Sequence, residues 1–181
     1  MITVSKLNNR KGLAEFIDFP HHLYKDDPNY VPELFVAQKD LLNGKHPFFN
    51  HSKTAYYVAK SDDNIIGRIA AIRNGNHIKF TGKQEGFFGF FDVVNDYPAA
   101  KILLDTATEW LRQENMKSVV GPANFSTNET CGLLVDGFDC PPPVMLTYNK
   151  PYYADLVEQY GFSKKMDLLA YRLVVDEIPA H

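Results

Sequence analysis

The first residues, ITVSKL, alternate apolar and polar side chains as a half-buried strand does, and the NNRKG that follows can open a helix. Leu13, Phe16 and Ile17 fall on one helical face, but Pro20 lacks an amide proton, so this helix is predicted to end or kink near Asp18. KDDPNY reads as a connector. PELFVAQKDLLNG carries helix signals at both ends, with Pro32 suited to the first turn and Gly44 to the stop.

KTAYYVAK and NIIGRIAAIRN are strand-like, and the SDDN between them suits a hairpin. EGFFGFFD is a third such run, and its phenylalanines at 87, 88, 90 and 91 would point to both faces of a covered central strand. DVVNDYPAAKILLDTATEWLRQENMK then predicts a long helix, capped by Asn95 or Asp96, started by Pro98 and buried along Leu103, Ala107, Trp110 and Leu111. KSVVGP is a short strand, and VMLTY another. NKPYYADLVEQYGF is a helix closed by Gly161, and KKMDLLAYRLVV a long final strand. The pattern is α/β in class, with no internal repeat and no linker, and is read as a single domain over 1–181.

Composition narrows the function classes. The 181 residues are 45% hydrophobic and 13% aromatic, enough for a packed core. A formal charge of -3 and the lack of a basic block argue against nucleic acid as a partner. No run approaches the roughly 18 apolar residues of a membrane span, and MITVSKLNNRKGLAEF lacks a leader's apolar stretch, so a cytoplasmic protein is expected. Cys131 and Cys140 make neither a disulfide framework nor a CxxC pair, and the six histidines show no zinc spacing. No metal is expected.

Between two apolar segments, GPANFSTNETCGLL concentrates Asn124, Ser126, Thr127, Asn128, Glu129, Thr130 and Cys131. Such side chains can form turns by bonding their own backbone, or they can face a ligand. Cys131 could act as a nucleophile or simply be a buried small thiol. HPFFNH could line a pocket mouth or pin a loop, and Arg68 and Arg73 could meet an acidic ligand or lie on a solvated strand face.

The order of elements, with YADLVEQYGF leading into a last strand, resembles the GNAT acetyltransferase superfamily. FIDFPHHLYKDDPNYVPEL, HPFFNH, GRIAAI, EGFFGFF, GPANFSTNETCGLLVDGFD and YNKPYY are more narrowly similar to a group of bacterial GNAT-like proteins. The resemblance implies a mixed, mostly antiparallel central sheet flanked by helices on both faces. It also implies acyl transfer from acetyl-CoA or a longer acyl-CoA to a small-molecule amine. Members of that group are commonly about twice this length, so the resemblance implies that this chain corresponds to an N-terminal half, and a second GNAT-like half or a homodimer is the expected partner.

In that superfamily two central strands splay, pantetheine pairs with the main chain in the gap, and the next helix's amides receive the pyrophosphate. The resemblance places the cofactor along Phe90, Phe91, Asp92, Val93 and Val94. The pyrophosphate turn departs from the pattern, however. DVVNDYPAA has no glycine, and Asp92 and Asp96 put carboxylates where an anion would arrive. The tyrosine that many of these enzymes carry four residues before the glycine of GF is replaced by Val157.

The expected function is thus N-acyltransfer, with Glu129 and Tyr148 as catalytic groups and Asn124, Ser126, Asn128 and Cys131 against the acceptor. The alternative is a non-catalytic binding or scaffolding domain of the same shape that has lost CoA.

Overall fold

The computed structural model describes residues 1–171. Strand β1 (Ile2–Lys6) leads into helix α1 (Arg10–Leu23), whose N-cap Asn9 accepts the Gly12 amide at 2.8 Å. Helix α2 (Phe35–Leu42) and a 3₁₀ turn (Pro47–Asn50) follow. The hairpin β2 (Lys53–Ser61) and β3 (Asn64–Arg73) turns through Asp62 and Asp63, both at positive φ. Then come α3 (Gly75–Thr81), β4 (Glu85–Val93), α4 (Tyr97–Gln113), β5 (Ser118–Val120) and α5 (Tyr153–Tyr160).

The five strands lie in chain order, antiparallel except for the parallel pair β4 and β5. One face carries Val58, Ala70, Ile72, Phe87 and Phe90 against Phe16 and Ile17 of α1. The other carries Ala55, Ile69, Phe88, Phe91 and Val93 against α4 and α5. β4 thus sends its phenylalanines into both layers, as the sequence implies, and the register shift beyond Gly89 puts Phe88 and Phe90 on opposite faces.

Five points of the sequence reading need correction. Helix α1 continues through Pro20 to Leu23. Pro20 cannot donate to the Phe16 carbonyl four residues back, and that oxygen is instead bonded by Arg68 at 2.8 Å, so a tertiary contact stands in for the missing helical one. Helix α2 begins at Phe35, which leaves Pro32 three residues ahead of it rather than in its first turn. The segment 75–81 is a helix that the hydrophobic pattern does not announce; it rests on the Asn74 side chain accepting the His77 amide and on Gly82 in the left-handed conformation.

Finally, VMLTY is a turn and extended chain, not a strand. Lys164–Tyr171 is likewise unpaired and exposed, and the remainder of that expected strand lies outside the described residues.

Candidate functional site

The site begins where the parallel ladder stops. β4 and β5 pair at Glu85 with Ser118, Gly86 with Val119 and Phe87 with Val120, and there the regular pairing ends. Phe90 sits at φ +46°, in a bulge between the Arg68 and Ala70 registers, and beyond Phe87 the β4–β5 ladder does not continue. Two glycines make the crossing possible. A Cβ on Gly89 would stand 2.0 Å from the Ala123 carbonyl oxygen, and one on Gly121 would stand 2.4 Å from that of Phe88.

Past the ladder, side chains serve the main chain of β4. The Ala123 amide still donates to the Phe88 carbonyl at 2.8 Å, but the Phe90 amide donates to Asn124 Oδ1 at 2.8 Å. The Val93 amide donates to the Tyr153 hydroxyl oxygen at 2.9 Å, and the Val93 carbonyl accepts from the Tyr152 hydroxyl at 2.8 Å. The gap is therefore open as a ladder and occupied by tyrosines.

Tyr153 connects the two layers. Its ring packs on Phe91 from the α5 side, while its hydroxyl lies 3.3 Å from Asp92 Oδ1 and 3.3 Å from the Tyr24 hydroxyl. Tyr24, just past α1, also donates to Asp92 at 3.1 Å. The other carboxylate oxygen receives Arg68 Nε and Nη2, each at 2.8 Å, across the register pair that joins β3 to β4. Burial, reinforced by the Asp92 charge, pushes the Tyr24 and Tyr153 hydroxyls far above the ordinary tyrosine range.

This pair forms the floor of a cavity of about 430 Å³ between α1, the upper half of β4 and the 122–149 loop. Tyr24 and Tyr30 stack at 4.3 Å, and Tyr148 leans on both. The Tyr148 hydroxyl donates to Asp27 Oδ1 at 2.8 Å, and Lys150 reaches Asp27 Oδ2 at 3.0 Å. Burial raises the Tyr148 hydroxyl to about 12, and its bond to Asp27 adds to the effect. Burial works against the Asp27 charge, but Lys150, Tyr148 and the Asn29 amide outweigh it and hold this carboxyl below its usual range. Glu33 also lines the cavity and accepts a bond from Gln38.

Of the residues singled out from sequence, Arg68, Phe90, Phe91, Asp92, Asn124, Thr130 and Tyr148 line this cavity. Val93 is buried beside it, and the Val94 amide is taken up by the Ile66 carbonyl. Ser126, Asn128, Glu129 and Cys131 lie outside its lining. There the loop folds back on itself: Asn124 and Gly132 amides reach the Thr130 and Pro122 carbonyls, and Ser126 Oγ accepts the Asn128 amide. Burial raises the Glu129 carboxyl, with His46 opposing, and burial raises the Cys131 thiol. Phe48 of HPFFNH stacks on Phe125 at 4.4 Å, which pins this loop to the core.

Asp92 does not present a bare charge to an incoming anion, because Arg68 neutralises it. Tyr24, Tyr30 and Glu33 are cavity residues to which the sequence reading gave no role, Tyr30 lying in the expected connector and Glu33 in the expected second helix. Their signal was the unusual density of tyrosine and carboxylate in YKDDPNYVPE. Val157 is packed in the core against α4, so no group from that helical position enters the site.

No protein-family model matches the chain. Protein YghO of Escherichia coli (strain K12) is 39% identical over 163 residues, 90% of this chain and 42% of that protein. The Bacterial ceramide synthase of Caulobacter vibrioides is 36% identical over 173 residues, 94% of this chain and 45% of that one. Among solved structures, a tandem GNAT protein from the clavulanic acid biosynthesis pathway superposes with a TM-score of 0.58 at 12% identity, over 89% of this chain and 43% of that one. A protein of Clostridium acetobutylicum described as a predicted acetyltransferase, solved with acetyl-CoA, gives 0.57 at 14% identity over 95% and 96%. The chain has the GNAT fold. It spans less than half the length of the curated relatives it matches. Among the described residues no helix is long and apolar enough to cross a membrane, and no cluster of three His, Cys, Asp or Glu could hold a metal.

Proposed function

We propose that this chain is a GNAT-fold unit of an acyl-CoA-dependent N-acyltransferase that passes an acyl group to an amine. The observation that carries the reading is the cavity at the opened edge of β4, floored by a buried guanidinium–carboxylate pair and walled by tyrosines. The kinship with a ceramide synthase agrees, since a ceramide is an amide.

In this reaction the amine nitrogen attacks the thioester carbonyl, the C–N bond forms, and the C–S bond breaks with departure of a thiolate. A base must take the ammonium proton, and an acid must meet the thiolate. Among the described residues Glu33 is the cavity-lining carboxylate without an ion pair, Asp92 being held by Arg68, and it takes the first role in this reading; Glu129 could act only from outside the cavity. Tyr148, which keeps its proton at neutral pH and is oriented by Asp27, takes the second. Asn124, held by the Phe90 amide, orients the reactants, and Phe90–Val94 is the strand along which the thioester carrier would lie.

A second reading, a binding or scaffolding unit without CoA, is favoured by one observation. The Val93 main-chain groups that would pair with pantetheine are already bonded to Tyr152 and Tyr153. Calorimetry with acetyl-CoA and palmitoyl-CoA, together with amine-dependent thiol release, separates the two. Saturable binding and thiol release support the enzyme. No heat from either thioester overturns catalysis by this chain and leaves the second reading.

A further inference from the structure

Two stretches of the chain hold large apolar side chains out in water side by side. Val31, Leu34 and Val36, around the start of α2, accompany Val144, Met145 and Leu146 of the 122–149 loop, with exposures from 45% at Leu146 to 93% at Val144. Two contacts bring the stretches together: Asn29 Nδ2 donates to the Phe138 carbonyl at 2.9 Å, and the Tyr30 and Tyr148 rings lie 6.1 Å apart. Val31 and the three loop residues also line the cavity, so the apolar set surrounds its mouth. Isolated apolar side chains at a surface need no explanation, but a contiguous set marks an interaction site.

The loop side is a formed turn. Behind the run Pro141–Pro143, the Leu146 amide donates to the Pro143 carbonyl at 3.1 Å, and Met145 sits at φ +67°, a conformation that strains a residue with a side chain. A strained turn that keeps Val144 and Met145 exposed gains nothing for the isolated chain. It suits a surface that another body covers.

Size and charge say which body fits. Burying one such side chain removes about 60–120 Å² of apolar area, so these residues, with Phe35 and Val135 beside them, offer on the order of 500 Å². That matches the apolar share, a little over half, of the roughly 800 Å² that one partner of a stable protein pair contributes. The charges set along 31–40 and 133–146 are Glu33, Asp40, Asp136 and Asp139 against Lys39, a balance that opposes an anionic lipid surface or a nucleic acid. The face is also self-matching. Its exposed turn stands next to an open recess of about 430 Å³, so a twofold axis can set the turn of one copy over the recess of the other.

We propose that a second copy of this chain docks on this face about a twofold axis, the Val144–Met145 turn of each copy covering the cavity mouth of its partner. The inference stands apart from the acyltransferase reading, and it makes each cavity's open side an element of the pair.

Sedimentation equilibrium of the whole chain, from low to high micromolar concentration, tests this. A closed dimer of twice the monomer mass is expected. Val144→Asp and Val36→Asp each set like charges across the axis and should raise the dissociation constant at least tenfold, with the circular dichroism spectrum unchanged because both side chains already face water. Phe80→Asp and Leu169→Asp alter exposed apolar residues outside the face and should leave the dimer intact. Added salt should strengthen the dimer, since it screens the acidic surroundings without weakening apolar burial. A monomer throughout the range overturns the proposal and leaves the face to a partner of another kind. So does a dimer indifferent to Val144→Asp and Val36→Asp, one broken by Leu169→Asp, or one lost in salt.

Discussion

The two halves of β4 solve the same problem in different ways. From Glu85 to Phe87 the strand has neighbours on both sides, β3 antiparallel and β5 parallel, and backbone satisfies backbone. From Phe90 to Val93 the β5 side is gone, and Asn124, Tyr152 and Tyr153 supply the partners. A strand edge satisfied by strand is closed to ligands, while an edge satisfied by side chains can be reshaped by rotamer change or substitution. Asn124 and Tyr153 therefore hold the fold and line the cavity at once.

The largest effect should come from removing the cation on which the upper half depends. Arg68→Met leaves Asp92 buried without its counter-charge and the Phe16 carbonyl without a donor, with an expected loss of about 3–5 kcal/mol in urea unfolding. If the loss is under about 1 kcal/mol, Asp92 must reach solvent, and the buried floor described above is wrong.

Next comes Gly89→Ala, which drives a methyl group against the Ala123 backbone and should cost about 1–3 kcal/mol as overpacking. In this variant the amide protons of Gly121, Ala123, Asn124 and Phe125 should lose exchange protection while those of Phe87 and Val120 keep theirs. Uniform loss along both strands would mean that the two halves of β4 are not independent.

Tyr153→Phe should cost about 1–3 kcal/mol by leaving the Val93 amide unpaired. It also sharpens the functional comparison, since it removes one of the two groups that occupy the gap. If thioesters compete with these hydroxyls for Val93, acyl-CoA affinity in this variant should rise relative to the parent, and calorimetry reads the difference.

The smallest effect is at the cavity wall. Asp27 titrates below its usual range in the folded chain, so its contribution is present above about pH 4, where the unfolded carboxyl ionises, and is lost as pH falls through the depressed value. Asp27→Asn should be destabilised by about 1 kcal/mol at pH 6, and the difference should shrink in acid. A gap between the two proteins that is constant with pH would contradict this assignment.

Legibility in the sequence followed the same division. The lower half and the strands β1 to β3 were readable because alternation reports a two-faced sheet directly, and α4 because its apolar stripe spans several turns. The splayed edge was reached only through a family resemblance, since no local pattern says that a ladder stops after Phe87. The helix over 75–81 escaped because it has no buried residue and depends on caps alone. Pro20 misled for a physical reason: a proline's cost is prohibitive only if the orphaned carbonyl stays orphaned, and its rescuer lies 52 residues away in sequence. Within the 121–134 loop, Asn124 was separable from Ser126, Asn128 and Glu129 only once the fold showed which side of the loop meets β4.

The rescue of that carbonyl has a further consequence. One oxygen, on Phe16, is claimed both by helical regularity and by the cation that anchors the cavity floor, and proline at position 20 decides between them by withholding a competitor. A residue with an amide proton at that position would make a better helix and a looser guanidinium. Improving the first helix and keeping the cavity in order are opposed aims in this protein.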